Sequence, residues 1–380
     1  MKNLFIHTFG CKINQYESQL IKQKYTDNGF VFADDINSAD TVIINSCSVT
    51  AYADKECNQL IKKLVSKNKN IILTGCYAKV FKDQILKEFP NIKIVLKEEI
   101  LKDIKQEIKT FDNHSRAFVK IQDGCNSFCS YCIVPYARNI LWSKPVNDVI
   151  EEINHLLDMG YLEIVLTGIH IGKYDKGIDF LLYEIFKNIK REFRIRLSSI
   201  EMHEITDNLK GIIKNEPVRM VRHLHIPLQS GCDKILKDMN RKYTTLEFTE
   251  TLNSLKSLFP DIAITTDVIC GFPTETDDDF NTTYNFIKDN KFARLHVFPY
   301  SRRSGTVAYN LKQVYKDYIL KQRTDKLLQL DKELRHEYFN KFVGTTRKAV
   351  SLRNRQALTD NYLTIKDIDK HNSIFDVVVK

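Results

Sequence analysis

Cys125, Cys129 and Cys132 lie within the run Cys125-Asn126-Ser127-Phe128-Cys129-Ser130-Tyr131-Cys132, a Cx3CxxC spacing that lets three thiolates grip one face of a metal cluster. No fourth cysteine follows nearby. A structural zinc site normally supplies four ligands, buried core cysteines would not gather in a loop rich in Asn, Ser and Gly, and a reducing compartment disfavours a disulfide. A [4Fe-4S] cluster bound by three thiolates keeps one iron open for a further ligand, unlike the four-cysteine electron carriers. A second set is dispersed: Cys11, Cys47 and Cys76 each follow a β-rich run, at 3–9, 40–46 and 70–75. Ligands of an open parallel sheet bind beyond the carboxyl ends of its strands. The pattern therefore predicts that these three converge, either on a second cluster with an open iron or as coincidental loop residues. Cys57, Cys232 and Cys270 have no partner set and are assigned no metal.

The elements that must carry these cysteines follow from periodicity. The chain has 380 residues, enough for two or three domains. Its 43% hydrophobic and 28% charged residues exclude a disordered tail protein and a fibrous repeat. The opening Met1-Lys2-Asn3-Leu4-Phe5-Ile6 is too short an apolar run for a signal peptide, and no later run suits a bilayer span, so the cytoplasm is the expected compartment. In residues 1–112, strand patterns at 3–9, 40–46, 70–75 and 92–96 alternate with helical patterns near 15–27, 50–67 and 79–89, an open parallel α/β sheet. A polar linker from Lys109 to Arg116 leads to a second α/β series. Its strand candidates are 117–122, 163–169, 194–199, 223–229, 263–270 and 294–300, six βα units where a full barrel has eight. A long charged helix over 314–341 and short strands at 347–352, 362–366 and 374–379 complete the chain. The net charge of +9 is uneven, because residues 341–380 hold eight basic against four acidic side chains. That excess suits either a polyanionic partner or a solvated face.

A Cx3CxxC motif at the head of a (βα)6 series resembles the radical S-adenosylmethionine superfamily. In that superfamily the open iron chelates the methionine moiety of S-adenosylmethionine, and cleavage of the sulfonium gives a radical that abstracts hydrogen from an unactivated carbon, chemistry that needs a dry, closed site. Two trithiolate sets in series resemble the methylthiotransferases. The likeness is carried by Thr8-Phe9-Gly10-Cys11-Lys12-Ile13-Asn14-Gln15-Tyr16-Glu17, Asn45-Ser46-Cys47-Ser48-Val49-Thr50, Gly75-Cys76-Tyr77-Ala78, Leu228-Gln229-Ser230-Gly231-Cys232, Cys270-Gly271-Phe272-Pro273-Thr274-Glu275 and Phe298-Pro299-Tyr300-Ser301-Arg302-Arg303. Asn139 after Arg138, Ser46 and Met202 depart from the usual pattern without removing a cysteine.

The resemblance implies an N-terminal methylthiotransferase α/β domain at 1–112, a partial (βα)6 radical barrel with trailing helix at 113–341, and a small β domain at 342–380, an abbreviated TRAM-like module. It implies two [4Fe-4S] clusters and two molecules of S-adenosylmethionine, with Cys11, Cys47 and Cys76 on one cluster and Cys125, Cys129 and Cys132 on the other. Gly168, Ser199, Glu201 and Gln229 stand at or just past strand ends facing the cofactor, where they bind its ribose or methionine part or simply shape loops. Lys348, Arg353 and Arg355 would contact RNA phosphates, with Tyr362 stacking or core. His170, His203, His223, His225 and His296 show no ligand spacing and read as structural. The expected partners are the anticodon loop of tRNA, an electron donor such as flavodoxin or ferredoxin, and a sulfur donor, with no membrane. The opening motif most resembles the branch acting on C2 of threonylcarbamoyladenosine at position 37 of tRNA. The alternatives are isopentenyladenosine, a ribosomal protein, or a non-catalytic iron-sulfur RNA-binding redox sensor.

Overall fold

The computed structural model describes residues 3–110, 115–352, 355–370 and 373–380. Short runs with apolar centres, Leu4-Phe5-Ile6, Val42-Ile43-Ile44 and Ile71-Ile72-Leu73, place Asn3–Thr8, Thr41–Ser46 and Asn70–Gly75 at the centre of a five-stranded sheet. Its order is Val31–Phe32, Asn3–Thr8, Thr41–Ser46, Asn70–Gly75, Lys93–Ile94, all parallel. Thr41–Ser46, covered on both faces, is buried along its whole length, which is why its centre, Val42-Ile43-Ile44, is apolar without alternation. The three central strands are immediate neighbours, so their carboxyl ends, and the residues that follow, lie side by side.

The second unit is an arc of six parallel strands. Ala117–Lys120, Glu163–Thr167 and Arg194–Leu197 form one sheet, and His223–His225, Ala263–Cys270 and Arg294–Pro299 the other. Single bridges at Ile195–Met220 and Ser199–His225 join them. The arc stays open between its first and last strands. Helix Lys12–Asp27 of the N-terminal unit packs against the first, and helix Asp317–Asn340 against the last. Alternation at period two puts Arg194 and Arg196, His223 and His225, Thr265 and Asp267 on the concave face, so the lumen of this barrel is polar and charged.

The tail folds as a four-stranded antiparallel sheet in the order Thr364–Lys366, Gln356–Thr359, Thr346–Leu352, Ile374–Val378. It seals the amino-terminal end of the arc. Arg194 donates to the carbonyl oxygens of Lys348 and Leu358, Arg196 to that of Thr359, and the Tyr362 ring stacks on His223 at 3.9 Å. Tyr362 is therefore a docking residue.

Several sequence expectations are revised. Strands Val31–Phe32 and Gln356–Thr359 were not expected, and the helix expected over 79–89 is two, Cys76–Val80 and Lys82–Glu88. The strand expected over 223–229 stops at His225: Pro227 has no N–H for a ladder, and Gln229 turns the chain at φ +65°. Within the expected linker, residues 111–114 lie outside the described residues.

Buried Glu163 faces three guanidinium groups, Arg194 at 2.6 Å, Arg196 at 2.9 Å and Arg116 at 3.2 Å. Removing that one carboxylate leaves buried positive charge uncompensated. Glu163→Gln is expected to destabilise the fold by about 3–5 kcal/mol, read from urea unfolding. A loss below about 1 kcal/mol would show that the arginines are neutralised in another way.

Candidate active site

Cys11, Cys47 and Cys76 follow the three central strands of the first sheet and come together at its carboxyl edge. The approach is tight: a Cβ on Gly10 would lie 2.5 Å from the Cys47 Sγ, and Gly10 has φ +91°, so only glycine fits there. Asn14 organises the loops, donating to the carbonyl oxygens of Phe9 and Ser46. Cys11 precedes the first turn of helix Lys12–Asp27, where the helix dipole favours a thiolate. It is accessible yet surrounded by protein, so it faces a recess, and that surrounding mass raises its thiol above the usual value while Arg138 opposes the rise. Burial pushes Cys47 up to about 12.

Cys125, Cys129 and Cys132 lie on the loop after the first barrel strand, held by groups that reading the motif did not find. Arg241 donates to the Cys129 Sγ at 3.4 Å and pairs with Glu201. His170 Nδ1 lies 3.7 Å from the Cys125 Sγ, while its Nε2 bonds Glu204 at 2.5 Å. Burial by itself would raise Cys125, but the His170 and Ser127 hydrogen bonds bring it down to about 7; buried Cys132 rises to about 12. All six thiols are free of disulfides. In each set a cationic N–H points at a sulfur, the environment that a thiolate ligand of an iron-sulfur cluster requires, so the donor sets fit such clusters.

Arg138 connects the two sets. Its Nε donates to the Cys76 Sγ at 3.3 Å, its Nη2 to Asn14 at 3.0 Å, and its backbone oxygen accepts from the Cys125 N–H at 3.2 Å. Its guanidinium also pairs with Glu17 at 2.8 Å and Asp123 at 3.1 Å, carboxylates shared with Lys120 and Lys97. Asn139, which stands where the resemblance expects glycine, accepts from Lys79 of the first unit at 3.0 Å and so adds another tie.

Beside Cys132, where the two units meet, lies a cavity of about 190 Å³, lined by Val49 and Thr50 from the first unit and by Cys132, Gln229, Asp267 and Tyr300 from the barrel. Asp267 accepts from His225 and His296, each at 3.2 Å. Desolvation would raise its pKa, but those two rings hold it far below the usual carboxylate range. Three histidines read from the sequence as structural, His170, His225 and His296, thus border the site, whereas His203 is exposed.

The remaining expected residues are spread out. Gln229 lines the cavity; Gly168 abuts Gln122 and Ile171; Ser199 is exposed at the strand-end bridge to His225; and Glu201 is engaged by Arg241. In the tail, Lys348 pairs with Asp376 at 3.1 Å, Arg355 is exposed, and Arg353 lies outside the described residues. Part of the local basic excess is spent internally, since Arg347 pairs with Asp360 and Asp261. Among the described residues no helix is long and apolar enough to cross a membrane.

Comparison with known proteins agrees with this geometry. Residues 3–97 match the family described as uncharacterized protein family UPF0004, and residues 119–287 match the radical SAM superfamily. The chain is 39% identical to the threonylcarbamoyladenosine tRNA methylthiotransferase MtaB of Bacillus subtilis, over 90% of this chain and 83% of that protein. It is 36% identical to the MtaB of Thermotoga maritima (92% and 87%), and 32% identical to the tRNA-2-methylthio-N(6)-dimethylallyladenosine synthase of Thermoanaerobacter pseudethanolicus (96% and 86%). Among solved structures, the radical S-adenosylmethionine methyltransferase TsrM of Kitasatospora setae shares the fold at a TM-score of 0.60 and 12% identity, covering 81% of this chain and 77% of that one.

Glu17 and Asp123 supply a pH test. Burial would raise the Glu17 pKa, but Arg138, Lys120 and Lys97 bring it from 4.5 down to about 2, and the same cations hold Asp123 well below its usual range. A depressed carboxyl contributes stability above its unfolded value and loses it as pH falls through its folded one. Apoprotein stability in urea should therefore fall between pH 4.5 and about 2, and Glu17→Gln should flatten that fall. Identical pH profiles for the two proteins would count against the network as drawn.

Proposed function

The chain belongs to the MtaB-type branch of the radical S-adenosylmethionine methylthiotransferases, transferases that modify tRNA, and from that membership we propose that it adds a methylthio group to C2 of N6-threonylcarbamoyladenosine at position 37 of tRNA, using two molecules of S-adenosylmethionine and two [4Fe-4S] clusters. What supports this reading is one cavity lined by Cys132 of the barrel and by Val49 and Thr50, which follow Cys47 on the loop of the first cysteine set. When bound, the clusters and S-adenosylmethionine supply a carbon-centred radical on one side and a transferable methylated sulfur on the other.

The chain's own residues hold, orient and shield. Cys125, Cys129 and Cys132 ligate the cluster that cleaves S-adenosylmethionine, with Arg241 and His170 fixing two of the sulfurs. Cys11, Cys47 and Cys76 ligate the second cluster, with Arg138 fixing the third sulfur. Gln229 faces the bound cofactor from the cavity wall, and Gly168, Ser199 and Glu201 complete its surroundings. Val49, Ile269 and Phe298 give the cavity an apolar wall. Exposed Tyr52, Phe128, Tyr136 and Tyr309 offer faces for unstacked anticodon-loop bases. Lys348, Arg353 and Arg355 add phosphate contacts from the tail. Electrons come from a flavodoxin or ferredoxin, and the sulfur from a separate donor.

The two clusters are separable by mutation. Cys129→Ala should abolish reductive cleavage of S-adenosylmethionine, whereas Cys47→Ala should retain cleavage but form no methylthiolated nucleoside, both scored by mass analysis after anaerobic reconstitution. Full product formation by Cys47→Ala would remove the second cluster from the reaction. Deleting the gene should eliminate the 2-methylthio derivative of threonylcarbamoyladenosine from cellular tRNA.

A further inference from the structure

The barrel lumen below the cavity carries more positive charge than it neutralises. Glu163 is the carboxylate shared by Arg116, Arg194 and Arg196, and the N-terminal unit brings a further cation, Lys12, within reach of Arg116 and Arg196. Lys12 begins the helix that packs on the open side of the arc. Its side chain is accessible, yet it lies within electrostatic reach of Arg116, Arg196 and Asp267, so it projects into the recess between the two units. No ion pair or hydrogen bond to its ammonium is found among the described residues.

A second observation points to a ligand at the same place. Arg196 and His223 are each only 3% exposed, and each has one nitrogen, Nη1 and Nδ1 respectively, without a hydrogen-bond partner among the described residues. Both side chains are otherwise fixed: the Arg196 Nε donates to Glu163, His223 Nε2 bonds Thr265 at 3.0 Å, and Tyr362 lies against both. Lys12 and Arg196 are both charge neighbours of His223. An ammonium, a guanidinium N–H and an imidazole nitrogen, all unpartnered, thus share one region of the lumen. Such groups are costly to bury without a hydrogen-bond partner, and Asp267, the carboxylate whose charge reaches Lys12, is already engaged by two histidines.

We propose that Lys12, Arg196 and His223 form an anion receptor for the carboxylate of the threonylcarbamoyl group, making Lys12 the specificity-determining residue that separates this substrate from an N6-substituent without charge. The inference rests on the substrate proposed above. The base would present C2 in the cavity lined by Cys132 and Gln229 while its N6 arm descends into the lumen. A carboxylate suits the site because ammonium and guanidinium donors make charge-assisted bonds to its two oxygens. The methionine carboxylate of S-adenosylmethionine has the same chemistry, and the experiment separates the two.

The reconstituted enzyme is titrated anaerobically with two fluorescent anticodon stem-loops, one bearing threonylcarbamoyladenosine and the other its carboxamide analogue, and separately with S-adenosylmethionine. The wild type should bind the carboxylate RNA more tightly. Lys12→Gln should weaken that RNA by about tenfold to a hundredfold, leave the carboxamide RNA and S-adenosylmethionine unchanged, and Lys12→Arg should restore the preference. Equal weakening of both RNAs, or none, overturns the receptor; loss of S-adenosylmethionine affinity alone reassigns it to the methionine carboxylate and overturns the proposal. A wild type that binds but never methylthiolates the threonylcarbamoyl stem-loop instead overturns the substrate reading, a result distinguishable by mass analysis of the RNA.

Discussion

One buried guanidinium sets the relation between the two halves of this protein. Arg138 stands on the cysteine loop of the barrel, yet its side chain reaches into the N-terminal unit, where it meets Glu17, Asn14 and the sulfur of Cys76. Taking a guanidinium, two carboxylates and two ammonium groups out of water is costly, and only near-ideal geometry recovers the loss. The network meets that demand: Glu17 and Asp123 each contact Arg138, Lys120 and Lys97. Sliding one unit against the other would strand charges in a dry interface. The interface is thus specified by electrostatics more sharply than apolar packing alone would allow, and the spacing between the cysteine sets is fixed with it.

The cavity belongs to neither unit alone. Val49 and Thr50 continue the loop of Cys47, while Cys132 and Gln229 sit on the barrel, so its walls are set by how the two units dock. The same docking closes the open side of a six-stranded arc. A full barrel would fill its interior with layered side chains; this one leaves its lumen to charged groups and seals the far end with the tail. The small C-terminal sheet is accordingly more than an appended module. Its carbonyl oxygens cap Arg194 and Arg196, and Tyr362 covers the ring of His223.

Legibility from sequence followed the range of the interaction. The Cx3CxxC loop is local, and its chemistry could be read directly. Cys11, Cys47 and Cys76 are far apart in the chain, but parallel-sheet topology brings successive strand ends together, so a rule about where strands end was enough to group them. Arg138, Arg241 and His170 escaped notice because each acts on a sulfur at least 40 residues away in sequence, through a geometry that no spacing encodes. The lumen charges were invisible for a related reason. His223 and His225 in isolation look like satisfied core residues, and only the closing of the arc sets them beside Asp267, His296 and Arg196. In sequence Tyr362 is open between RNA stacking and the core, since an aromatic in a basic tail suits either, and in the fold its ring is stacked inside the protein on His223.

The Arg138 network and the lumen differ in how far their polar groups are matched. In the Arg138 network nearly every donor and acceptor is matched, as buried ionic groups that serve only the fold must be. A few residues away, the lumen breaks that rule at Lys12, Arg196 and His223 together. Unmatched donors that are costly in the free protein gain their partner on binding, and the free energy then released favours the anionic substrate over a neutral one. The matched cluster holds the two halves in register, and the unmatched one, built from all three domains, is where discrimination between substrates would reside.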